Sequence, residues 1–216
     1  MMNVRKRAFR GWGFGVLAFL ALAIGAYALV LYGTPEGLRQ RMFVSEKGAL
    51  PELWYNVLFA HAVSAGVALA VGWFQFMKRL RLRMPGVHRA IGCVYAVMIA
   101  IGGMTGLYLA FYANGGWIAQ AGFGSLSVLW LYTLYRSLKS ILVDRDPREH
   151  GRWMVRNYAL SCAAISLRLY IPLAAVLFGL TDTNDTFAVI AWIAWIPNLL
   201  IAERLIGRRN AAAARS

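Results

Sequence analysis

The sequence predicts an all-α membrane protein, a bundle of about six transmembrane helices whose helices 2–5 form a core around a polar seam. Three observations carry this. Hydrophobic residues make up 60% of the 216 and charged residues only 15%, which leaves too few polar side chains to cover a soluble domain. Apolar runs long enough to span a bilayer recur along the chain, since a core of roughly 30 Å takes about 20 residues at 1.5 Å each. Basic residues gather in alternate connections, the pattern by which membrane proteins set their orientation.

The runs cover residues 12–32, 53–77, 91–113, 117–138, 153–180 and 187–201. The first follows Arg5, Lys6, Arg7 and Arg10 and so resembles a secretory signal. It is longer than the apolar core of such a signal, about 7–15 residues, and ends in Tyr32, so it reads as a retained helix. Trp12, Trp54, Trp117 and Trp153 stand at span ends, where an amphipathic ring prefers the headgroup layer. Asn114-Gly115-Gly116 is a short turn that makes spans three and four a tight antiparallel hairpin. Residues 12–203 thus read as one membrane domain between basic tails at 1–11 and 204–216.

The net charge of +14 raises the question of a nucleic-acid partner, and its placement answers it. Lys78, Arg79, Arg81, Arg83 and Arg89 fall in one connection, and Arg136, Lys139, Arg145, Arg148, Arg152 and Arg156 around another. Arg204, Arg208, Arg209 and Arg215 fall in the tail. The intervening loop has Arg39, Arg41 and Lys47 balanced by Glu36, Glu46 and Glu52, while residues 114–116 and 181–186 carry no base. This is a topology signal, with both termini on the cytoplasmic side of a bacterial inner membrane, and the partner it implies is the lipid bilayer rather than nucleic acid. Cys93 and Cys162 both fall within apolar runs and read as small buried hydrophobes, not as a disulfide or a thiolate metal site.

Polar groups inside a bilayer are costly unless paired or facing a cavity, so their spacing is the informative part of the sequence. In the second span His61, Ser64, Ala68, Gly72 and Gln75 share one helical face. His88, Gly92, Tyr95, Gly102 and Gly106 do so in the third, Gln120, Gly124 and Ser127 in the fourth, and His150, Asn157, Ser161 and Arg168 in the fifth. The first span has almost no polar face and reads as peripheral. Gly102 and Gly106 form a GxxxG pair, first of all a packing device. Counting rise from the opposite ends of their helices puts His61 and Arg168 near one depth. A second group, Gln75, His88, Arg89, His150, Arg156, Asn157, Asn198 and Glu203, sits towards the basic end.

Arg168 cannot shed its charge, and no acid shares its depth, so its partner is a ligand's anionic group, water or helix carbonyls. Neutral His61 suits a haem iron, a proton relay or a quinone oxygen, or is simply a satisfied core histidine. His88 and His150 could hold one haem iron from two helices, with Arg89 and Arg152 facing the propionates. The plain alternative makes these residues interfacial anchors for lipid headgroups. No protease, P-loop, dinucleotide-binding or serine-hydrolase motif is present.

His61, Gln75-Phe76, His88-Arg89, Gly92, Tyr95, Gly102-Gly103, Gly106, Gly122-Phe123 and Trp130 form an ordered set. The stretch from His150 to Arg156, then Ser166-Leu167-Arg168-Leu169, the stretch from Ala194 to Leu199 and Glu203 complete it. In this order the residues resemble the domain-of-unknown-function family DUF2306 of bacterial integral membrane proteins. The resemblance implies a membrane protein and brings no mechanism. Beside a seam that serves only helix packing, two functions remain open: a membrane redox protein holding haem b or a quinone in its seam, and a small non-redox transporter, lipid-binding or assembly protein. In the second, His61 and Arg168 line an anion or proton site. Either way the ligand is a hydrophobic or anionic small molecule.

Overall fold

The computed structural model describes residues 2–31, 44, 47, 50–180 and 182–213, which form helices and connections without a strand. Tyr32, Glu36, Arg39, Arg41, Glu46, Thr181 and Arg215 lie outside the described residues. The helices are α1 (Met2–Leu31), α2 (Glu52–Gly72), α3 (Lys78–Arg83), α4 (Pro85–Ala110) and α5 (Gly116–Leu142). They continue as α6 (Pro147–Ser161), α7 (Ala163–Phe178), α8 (Thr183–Ile193) and α9 (Ile196–Ala213). Four segments, Glu52–Phe76, Pro85–Ala110, Pro147–Phe178 and Asn184–Arg208, are long and apolar enough to cross a membrane. Trp12–Tyr27 is a shorter apolar helix, and α5 runs 27 residues alongside them. The fold is a helical membrane bundle.

Each helix packs on its chain neighbour: α1 on α2, α2 on α4, α4 on α5 and α5 on α6, while α8 lies on α5 and α9 on α6. Small residues set the close approaches. A Cβ at Gly25 of α1 would meet the Gly66 carbonyl of α2 at 2.8 Å, and one at Gly72 would meet the Tyr95 and Tyr158 rings at 2.6 Å. The outward surface carries exposed Val94, Val97, Met104, Val176, Val189 and Leu200, so the apolar side chains face where lipid would be and the polar seam faces in.

The hairpin turn forms as its glycines require. Gly115 and Gly116 have φ of 90° and 63°, a region that costs a residue with a Cβ but not glycine. A Cβ at Gly115 would also strike the Ala188 nitrogen of α8 at 2.7 Å, so the turn locks α8 against the hairpin.

Four features differ from the sequence reading. The fifth span is two helices, α6 and α7, with Cys162 as their joint. The sixth likewise breaks at Ala194 and Trp195. Pro197 explains that break, because its ring lacks an N–H and would clash with the carbonyl of Ile193 four residues earlier. Cys93 is exposed on the outer face of α4 rather than buried. The first helix is also more than peripheral: its inner edge completes the wall of a cavity described below. The basic stretches at both ends continue the helical spans, since α1 begins at Met2 and α9 reaches Ala213.

Candidate functional site

The seam divides into three regions. At its centre lies a closed hydrogen-bond network. Tyr95 donates its hydroxyl to Asn157 Oδ1 at 2.6 Å, and Asn157 Nδ2 donates to the Trp130 carbonyl and to Thr133 Oγ1, both at 2.8 Å. Ser161 Oγ accepts from Trp130 Nε1 at 3.0 Å and donates to the Asn157 carbonyl at 3.1 Å. Tyr158 ties this cluster to α2 by donating to the Leu69 carbonyl at 3.1 Å. Tyr95 is 1% exposed and Asn157 not at all. Every donor and acceptor of the Asn157 amide is occupied, which is the condition for burying it at low cost.

Beside the network, towards the hairpin end, lies a cavity of about 220 Å³. It is walled by Ile24 of α1, by α2 between Leu58 and Leu69, by α5 between Phe123 and Trp130, by residues 160–168 and by Ala194. The wall is mostly apolar, and its polar members are His61, Ser127, Trp130, Ser161 and Arg168. The depth arithmetic placed His61 and Arg168 at one level, and the two line one space and interact electrostatically.

His61 is held by its Nδ1, which donates to the Gly102 carbonyl at 2.9 Å. A carbonyl only accepts, so Nδ1 carries the proton and a neutral ring leaves Nε2 as a bare acceptor. The Nδ1–Cε1 edge lies on α4 at Gly106, where a Cβ would sit 3.0 Å from Cε1 and also 3.0 Å from Ser127 Oγ. No residue of α4 borders the cavity but His61 does, so the ring reaches from its anchor on α4 to the cavity wall. Neither His61 Nε2 nor Ser127 Oγ has a hydrogen-bond partner among the described residues.

Arg168 donates from Nη1 to the Ala164 carbonyl of its own helix at 3.1 Å, and its guanidinium lies 5.6 Å from the Tyr27 ring centre on α1. Among the described residues it has no acidic partner. Pro172, within α7, has no N–H to bond the Arg168 carbonyl, so this turn of helix holds a cation and a freed carbonyl together.

The third region is the basic end. His150 Nδ1 donates to the Ser137 carbonyl at 2.9 Å. His88 lies close enough to His150 to interact with it, its Nδ1 is buried without a partner, and its carbonyl accepts from Gln75 Nε2 at 3.3 Å. Arg89 is exposed. Arg152 pairs with Glu149 at 2.9 Å and reaches Asn210. Arg156 grips Glu203 with two nitrogens, at 2.6 and 2.9 Å. Asn198 Nδ2 donates to the Ala194 carbonyl and to Ser166 Oγ, which packs α9 onto α7. Among the described residues no group of three or more His, Cys, Asp or Glu side chains is placed to hold a metal ion.

Sequence reasoning missed two parts of this arrangement. Thr133, Ser137 and Ser140 continue the Ser127 face of α5 at steps of three and four and are all buried, a signal present in the spacing. Trp153, read as an interfacial anchor, is clasped between Arg136 and Arg156, each 4.5 Å from its ring. That clasp joins α5 and α6 and has no sequence signature.

The fold and seam define a multi-pass helical membrane protein with a mostly apolar pocket of about 220 Å³ between its helices. Residues 58–206 match a family described as predicted membrane protein (DUF2306). The chain belongs to that family. No curated protein and no solved structure matches it.

Proposed function

We propose that this protein binds the headgroup of a quinone-class molecule in the cavity between α1, α2, α5 and α7, as a membrane redox-type protein does. The observation that supports this reading most is the pairing of His61 and Arg168 on the wall of one mostly apolar space. Sites for small organic ligands combine an apolar wall with a few convergent polar groups. A volume of about 220 Å³ lies just below the usual range of about 300–1,000 Å³, which suits one substituted ring rather than a macrocycle such as haem b. In this reading Arg168 donates to one ring oxygen, His61 and Ser127 meet the other, and the apolar tail lies among lipid chains. Haem held by His88 and His150, with Arg89 and Arg152 at its propionates, is a weaker form of the redox reading, because Arg152 is already engaged by Glu149 and Asn210.

The lack of an acidic partner for Arg168 favours one second reading, a non-redox site for an amphipathic anion such as a fatty acid carboxylate. Both are tested together. The purified full chain in detergent is titrated with a short-chain benzoquinone, with its hydroquinone and separately with a medium-chain fatty acid, following tryptophan fluorescence, since Trp130 borders the cavity. Saturable quenching by the quinone that weakens at least tenfold in Arg168→Leu supports the first reading. Saturation by the fatty acid alone supports the second. A chain that binds none of the three, or a Soret band that disappears in His150→Ala, overturns the quinone assignment.

The same reading puts the protein in a bacterial inner membrane with both termini cytoplasmic. Its support is the gathering of Lys78, Arg79, Arg81, Arg83, Arg148 and Arg152 at one end of the bundle. Reporter fusions after residues 115 and 213 test it: the first is expected outside and the second inside.

A further inference from the structure

We propose that the cavity selects the reduced, hydroquinone state of its ligand, with one ligand hydroxyl donating to His61 Nε2 while Arg168 donates to the other oxygen. This rests on the quinone-class reading above and concerns binding alone, with no electron transfer assigned.

The argument is a count of free donors and acceptors. Of the five polar side chains on the wall, two are spent. Trp130 Nε1 donates to Ser161 Oγ, and Ser161 in turn donates to the Asn157 carbonyl. Three remain. Arg168 offers only donors, Ser127 offers a hydroxyl that turns either way, and His61 offers Nε2. The tautomer of His61 is fixed from behind, because Nδ1 faces the Gly102 carbonyl at 2.9 Å and must bear hydrogen. Two cations facing one small apolar space repel, which favours the neutral ring and leaves Nε2 an acceptor.

An oxidised quinone presents only carbonyl oxygens. One is satisfied by Arg168, but the other would turn its lone pairs towards the lone pair of Nε2. A hydroquinone presents two hydroxyls, each able to donate and to accept. It therefore satisfies the donor at Arg168 and the acceptor at His61 at once. A buried group left without its partner lowers affinity by about tenfold to a hundredfold, and that is the expected preference for the reduced ligand.

The test is isothermal titration calorimetry of the full-length protein in detergent, under strict exclusion of oxygen. The ligands are a short-chain benzoquinone, its hydroquinone, and the dimethyl ether of that hydroquinone, which accepts but cannot donate. The hydroquinone is expected to bind at least tenfold more tightly than either of the others. In His61→Ala the three are expected to converge, and in His61→Gln, whose amide restores an acceptor, part of the preference returns. Equal affinities for quinone and hydroquinone in the unaltered protein, or a dimethyl ether that binds as well as the hydroquinone, overturn the inference while leaving the quinone-class reading standing. Failure of all three to bind overturns both. Because the dimethyl ether comparison uses the unaltered protein, it holds even where a His61 variant does not fold.

Discussion

The polar network at Tyr95, Asn157 and Ser161 and the cavity at His61 and Arg168 share walls, since Trp130 and Ser161 belong to both, yet they are built on opposite rules. In the network each amide and hydroxyl meets a protein partner, and the cluster ties α4, α5 and α6 together. In the cavity His61 is oriented by Gly102, and among the described residues its second nitrogen and Ser127 meet no partner while Arg168 meets only its own helix and the Tyr27 ring. Saturated polar groups hold helices together, whereas oriented and unsaturated ones are available to something else. The residues that look alike on a helical wheel thus separate into saturated and unsaturated sets by what remains unbonded among the described residues.

The sharpest way to break this division is Asn157→Leu. It removes the nearer partner of the Tyr95 hydroxyl, which keeps Ser161 Oγ at 3.1 Å, and both donors to Trp130 and Thr133, at about 0.5–1.5 kcal/mol for each hydrogen bond lost. The expected loss of stability is several kcal/mol, read from denaturant titration in mixed micelles, with quinone affinity unchanged in the fraction that stays folded. If Asn157→Leu is tolerated and ligand binding disappears instead, the network belongs to the site and the division fails.

Gly106→Ala acts on the other side of the comparison. The new Cβ would lie 3.0 Å from both His61 Cε1 and Ser127 Oγ, tighter than ordinary contact, so the imidazole must shift from its anchor on Gly102. Overpacking of this kind costs about 1–3 kcal/mol. The measurement that matters is ligand affinity, expected to fall about tenfold, as a lost hydrogen bond would make it. A stability loss with unchanged affinity would show that the position of His61 is immaterial to binding.

A smaller effect is expected from Glu203→Gln. The Arg156–Glu203 pair has ideal two-point geometry, but the Glu203 side chain is 46% exposed, and pairs open to solvent contribute about 0.2–1 kcal/mol. The thermal unfolding midpoint in detergent should drop by about 4 °C at most, on the order of that energy, and less at high salt. A large loss would mean that this end of α9 is the true anchor of the bundle.

How much of this was legible follows the same division. Helical spacing found Asn157, Ser161 and Arg168 on one face, and rise per residue brought His61 to the level of Arg168, because period and depth depend only on helix geometry. The joint at Cys162 was not legible, since none of Ser161, Cys162 and Ala163 breaks helices by itself. Pro197 did carry a signal for the break at Ala194, and only its placement within an apolar run hid it. The roles of His61 and Asn157 could not be told apart in sequence, because saturation depends on partners such as Gly102, Trp130 and Thr133 in other helices.

The smallest expected effect lies outside both regions and serves as their control. Asp146 caps α6, its carboxylate accepting from the backbone N–H groups of Arg148 at 2.8 Å and Glu149 at 3.0 Å. The Glu149 N–H foremost, then that of Arg148 and the nearby Arg152 and Arg148 charges, hold this carboxyl below the ordinary aspartate value. A group whose folded value is depressed stabilises the fold above its unfolded value, about 3.9 for aspartate, and that contribution fades as pH falls through the lower folded value. Asp146→Asn should therefore lower stability slightly at neutral pH, and the two proteins should begin to converge near pH 4 and coincide once the pH is below the lower folded value. Quinone affinity should be the same in both throughout. A pH-dependent loss of binding in this variant would mean that the α5–α6 connection communicates with the cavity along α6, which already carries Asn157 and Ser161 between them.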